Sequence, residues 1–90
     1  MERDKTVALG LLTSIQDLDG IHGVDERNLE ASIYGENHNF ENTDYYHLGL
    51  LVSGGFLTAE QQELTHVTTY RLTWSGHDLI DQLQKEIFKI

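Results

Sequence analysis

A small α+β domain of winged-helix-like architecture, three helices with a two- or three-stranded β-wing, is what the sequence predicts. Three observations carry the expectation. An apolar stripe at helical spacing opens the chain, and a second lies in its middle. A polar tip is followed by a β-branched and aromatic run, and "YRLTWSGHDLIDQL" at 70–83 turns from strand to helix within a few residues. Ninety residues make one domain, 1–90, with no room for a second core. A chain of this size buries roughly 60–65% of its unfolded surface, enough to fold alone with little margin.

The first helix takes Asp4 or Thr6 as its cap and lines up Ala8, Leu11, Leu12, Ile15 and Leu18. Gly10 costs that helix up to about 1 kcal/mol relative to Ala, which suggests a close neighbour. "DLDGIHG" ends it with turn formers. Residues 24 to 41 leave two readings open: "DERNLEAS" as a short helix capped by Asp25, or "ASIYG" as a short strand. "GENHNFENTD" reads as loop. Asn42 or Thr43 caps a second clear helix, "DYYHLGLLVSGG", which Gly54 and Gly55 stop. Phe56, Leu57 and Thr58 restart the chain as a strand, "TAEQQELTH" is a polar tip, and "VTTYRLTW" is the returning strand. Ser75, with Asp78 three residues on, caps a last helix whose stripe is Leu79, Ile80, Leu83 and Ile87. Gly76 eases the corner. The expected core is Leu11, Leu12, Ile15, Leu18, Leu48, Leu51, Phe56, Leu72, Trp74, Leu79, Ile80 and Leu83. In a winged helix the helix before the hairpin is the recognition helix, here 43 to 54, and the hairpin, 56 to 73, is the wing.

Charge is the most informative bulk property. Fifteen acids oppose six bases, for a formal net charge of −9. The bases are Arg3, Lys5, Arg27, Arg71, Lys85 and Lys89, so no Lys or Arg falls between Asn28 and Tyr70. Nucleic-acid binders draw most of their affinity from neutralising phosphates, and the middle of this chain has nothing to do that with. The absence of cysteine fits a reducing compartment. No stretch approaches the ~18–20 apolar residues of a membrane span, and the N-terminus lacks the basic start and apolar block of a signal peptide. The expectation is a soluble, cytoplasmic protein.

"MERD", "YYHLGLLVSGGFL" and "YRLTWSGHDLIDQL" resemble a family of small phage and prophage proteins catalogued as domain of unknown function 2513. That family shows an Arg-Asp start, a Tyr-His-Leu-x-Leu-Leu segment and an Arg-Leu-Thr-Trp-x-Gly-His ending. The matching residues are Arg3-Asp4, Tyr46-His47-Leu48, Leu50-Leu51 and Arg71 to His77. Gly49 and Ser53 stand where longer, more polar side chains are the pattern, and residues 20–42 match poorly. The resemblance implies a winged-helix-like fold and a mobile-element origin, and no established activity.

The residues themselves weigh against several chemistries. His22, His38, His47, His66 and His77 contain no His-x-x-x-His or His-Glu-x-x-His pair, and no Cys could complete a zinc set. Although His77 and Asp81 sit i,i+4 on one helix, no metal and no cofactor is expected. Ser75 near His77 is adjacency in sequence, not triad geometry, and the chain is expected not to be an enzyme. The recognition helix offers Asp44, Tyr45, Gly49, Val52 and Ser53, with no Arg or Lys for guanine and no Asn or Gln for adenine. With Glu60 and Glu63 on the wing these form the expected interaction face, acidic and flat. It suits a host or phage protein with a basic groove, or a second copy of the chain. The functional expectation is a phage or prophage accessory protein acting by protein contact, an anti-repressor or defence inhibitor. The alternative is a DNA-binding winged-helix transcriptional regulator.

Overall fold

The computed structural model describes residues 1–36 and 39–89; Asn37 and His38, within the segment expected to be loop, and Ile90 lie outside the described residues. The first helix, α1 (Lys5–Leu18), is capped by Asp4, whose carboxylate accepts from the amides of Thr6 and Val7. Of the two readings left open for 24–41, the helix is the one adopted. Asp25 caps α2 (Glu26–Tyr34) by accepting from the Asn28 amide at 2.8 Å, and "ASIY" completes that helix instead of forming a strand. The strand lies just before it, as the two-residue β1 (Val24–Asp25).

The next helix, α3 (Asn42–Ser53), is capped one residue earlier than expected, at Glu41. Neither Asn42 nor Thr43 serves; instead Asp44 reaches back to accept from the Glu41 amide at 3.0 Å, the acidic half of a capping box. Its far end closes as a Schellman motif: the Phe56 amide donates to Leu51 and the Gly55 amide to Val52. That motif requires a left-handed residue, and Gly55 supplies it at φ 83°. The wing strands are β2 (Leu57–Gln61) and β3 (Thr68–Leu72), and α4 (Trp74–Phe88) ends the chain.

The sheet is antiparallel with the order β1-β3-β2, so the last strand is central. Tyr70 is paired with Val24 on one side and Ala59 on the other. Because β1 stops after two residues, the Leu72 amide has no strand partner on that edge and donates to the Asp19 carboxylate at 3.3 Å. Four helices and this three-stranded sheet give an α+β, winged-helix-like domain. The helix beyond the expected three is α2.

Leu11, Leu12 and Ile15 of α1 meet Leu29 of α2, Leu48 and Leu51 of α3, Leu57 of β2, Tyr70 of β3, and Ile80 and Leu83 of α4. Phe56, Leu72 and Leu79 are half-buried against this cluster. Two expected core residues are outside it. Leu18 is 42% exposed, because the helix ends there and its stripe outruns its cover. Trp74 is 86% exposed. Strand alternation would have put 70, 72 and 74 on one face, but the chain leaves β3 at Leu72 and Trp74 already obeys the helical period.

The same shift moves the helix cap. Thr73, not Ser75, caps α4: its hydroxyl accepts from the Gly76 amide at 3.0 Å and donates to the Gly55 carbonyl at 2.7 Å. Gly76 is buried where a Cβ would overlap the Phe56 carbonyl oxygen, so this corner admits no side chain. Gly10, by contrast, is exposed and has no close neighbour.

Candidate functional site

The exposed side of α3 and the inner side of the wing enclose a shallow groove of about 350 Å³. Tyr45, Gly49, Val52 and Ser53 form one wall, Leu48 the floor, and Ala59 of β2 with Tyr70 of β3 the other wall. The helical period places 45, 49, 52 and 53 together because they recur at intervals of three and four. Four of the seven expected face residues therefore share one surface. Glu60 and Glu63 are exposed farther out on the wing and do not line the groove.

Asp44 is not on this face. Only 4% exposed, it turns toward the start of α3, where it accepts from the Tyr34 hydroxyl at 2.5 Å as well as from the Glu41 amide. The cap geometry dictates that inward turn. Tyr34, hydrogen-bonded to this carboxylate, is held protonated, its pKa pushed up to about 12.

Acids border the groove from α2, an element that contributed none of the expected face residues. Glu26 and Glu30 lie one turn apart on α2; Glu26 acts on both phenols and Glu30 on Tyr45. Burial, reinforced by Glu26, pushes Tyr70 up to about 12. Burial and then the charges of Glu26, Glu30 and Asp44 raise Tyr45. Glu26 itself is raised, first by burial and then by repulsion from Glu30. None of the groove-lining residues is Lys or Arg. Neither glutamate nor Tyr70 was among the expected face residues; the i,i+4 spacing of Glu26 and Glu30 and the strand alternation that turns Tyr70 inward are the signals that could have found them.

A second, larger groove of about 660 Å³ lies between the start of α1, α3 and α4, with Ala8, Leu50, Leu51, Leu79 and Leu83 in its lining. Lys5 on its rim pairs with Glu86 at 2.8 Å. Beneath it His47, 1% exposed, joins α1 to α3. Its Nε2 accepts from the Asp4 amide at 2.8 Å, which leaves Nδ1 to carry the proton and donate to the Thr43 carbonyl at 2.7 Å. His47 is thus a satisfied interior histidine.

His77 lies 3.3 Å from the Gln16 amide nitrogen, a contact between α4 and α1. Ser75 and His77, two residues apart on α4, project about 160° from one another around the helix and do not converge. Among the described residues no three His, Asp or Glu side chains gather closely enough to hold a metal ion. His38 lies outside the described residues. No described helix is long and apolar enough to cross a membrane. No family model matches the chain, and no curated protein matches it.

Proposed function

We propose that the domain is a non-enzymatic phage or prophage accessory protein that acts in the cytoplasm by protein–protein contact through the α3–wing groove. One observation carries the reading. The place where a winged helix presents its recognition helix here offers two phenols, small residues and bordering carboxylates, with no cation in the lining. Phosphates are repelled by such a surface, whereas a basic groove is attracted by it. The partner is therefore a host or phage protein whose basic groove otherwise holds nucleic acid, and occupying that groove makes the domain an anti-repressor or defence inhibitor. The phage setting comes from the family resemblance.

The test is a pair of titrations at low and moderate salt, one with random duplex DNA and one with an arginine-rich peptide. The peptide should bind, weaken as salt rises, and lose affinity to a Glu26→Gln, Glu30→Gln variant. Duplex should not bind. Micromolar, salt-sensitive duplex binding would overturn the reading in favour of a DNA-binding regulator.

A further inference from the structure

The outer face of α4 carries a pattern that neither the core nor the acidic groove uses. Trp74, the chain's single tryptophan, is 86% exposed at the first helical residue, and Phe88 is 62% exposed at the last. At 100° per residue they lie within about 40° of each other around the axis and about 21 Å apart along it. Asp78, Asp81 and Lys85 fall on the stripe between them, and all three are exposed. Gly76, Ile80 and Leu83 occupy the opposite, buried side.

This stripe is self-complementary. It has an aromatic ring at each end, acids in its first half and a base in its second. An isologous interface needs a patch that matches itself after a half-turn, and an antiparallel copy meets that requirement. With the two-fold axis at Asp81, Trp74 of one copy stacks on Phe88 of the other. Each Lys85 falls beside the other copy's Asp78 and within one turn of its Asp81, which offsets the two aspartates that face each other at the axis.

We propose that two copies of this chain pair antiparallel through the outer face of α4. Pairing removes four exposed aromatic rings from water, each able to bury on the order of 150–250 Å². Those rings alone supply roughly half or more of the ~1,200 Å² typical of the smallest stable interfaces. No α4 residue lines the α3–wing groove, so a pair presents two grooves at once, whatever fills them.

Sedimentation equilibrium and Trp74 emission, followed from low micromolar to millimolar protein, test the pairing. The mass should rise from 10.3 kDa toward twice that value, with the emission shifting to the blue over the same range. Trp74→Ala and Phe88→Ala, which leave the core untouched, should each weaken association about tenfold or more. Lys85→Glu and the double variant Asp78→Lys, Asp81→Lys should each stay monomeric alone and form a heterodimer when mixed. A monomeric mass with unshifted emission throughout would overturn the proposal. So would a dimer that survives Trp74→Ala, or reversed-charge variants that do not associate on mixing.

Discussion

Asp44 and Tyr34 show how much one carboxylate can organise. Asp44 caps α3 through the Glu41 amide and, with the same oxygen, holds the Tyr34 hydroxyl of α2. Tyr34 therefore keeps its proton up to about pH 12, above the ordinary tyrosine value of 10.0. A folded-state pKa raised above the unfolded one adds stability that is fully present below pH 10 and lost as pH rises through about 12. Tyr70 adds to the loss over the same window, because burial raises it to about 12. Phenolate absorbance should show Tyr34 and Tyr70 ionising late, and the fall in melting temperature above pH 10 should be shallower in Tyr34→Phe. All four tyrosines ionising together near pH 10 would contradict this. At neutral pH the same substitution should cost about 0.5–1.5 kcal/mol for the lost hydrogen bond. The capping box turns Asp44 toward the helix start, and the Tyr34 hydroxyl, ten residues back, is the tertiary partner that meets it there. Asp44 was legible as a helix-start residue and not as a buried one.

At the scale of elements, α1, α3, β3 and α4 were legible because each combines a recognisable run with a stop signal. Strand β2 was legible only at its start: Ala59, Glu60 and Gln61, expected in the polar tip, extend the strand because they pair with Tyr70, Thr69 and Thr68. What was not legible is where one period gives way to another. At Thr73 the alternation of β3 becomes the three-to-four spacing of α4, and that single step takes Trp74 out of the core and moves the cap from Ser75 to Thr73. Residues 24–34 resisted for another reason. A two-residue strand has no period, and β1 exists only because β3, more than forty residues later, pairs with it. The four groove residues on α3 followed from spacing alone, whereas the opposite wall required knowing that β3 is the central strand. Two glycines make the contrast between local and tertiary constraint measurable. Gly76→Ala should destabilise by about 1–3 kcal/mol or more, because a methyl group meets the Phe56 carbonyl. Gly10→Ala should stabilise by about 0.5–1 kcal/mol, because the helix gains a better former in open space. Chemical denaturation of both variants decides; equal effects would deny the close approach at the corner.

Charge is distributed over the whole molecule with a direction. The run from Asn28 to Tyr70 without a base holds α3, β2 and the wing tip, whereas Lys5 on α1 and Lys85 on α4 lie on the two terminal helices, joined by Lys5 and Glu86. That pair is the single salt bridge among the described residues, set against a formal net charge of −9. Self-repulsion therefore outweighs local attraction, and screening should help the fold. Melting temperature should rise as sodium chloride goes from low to moderate concentration; a fall would mean that attractive pairs dominate.

Asp19 bears on what the fold must avoid. Beyond the two residues of β1, the central strand presents its Leu72 amide to an open edge, and the Asp19 carboxylate takes that donor. An uncovered edge is a template on which another chain can add a strand, and nature blunts such edges with inward-pointing charges. By closing β3 with a side chain in place of more backbone, the sequence keeps its shortest strand short without inviting strand-by-strand aggregation.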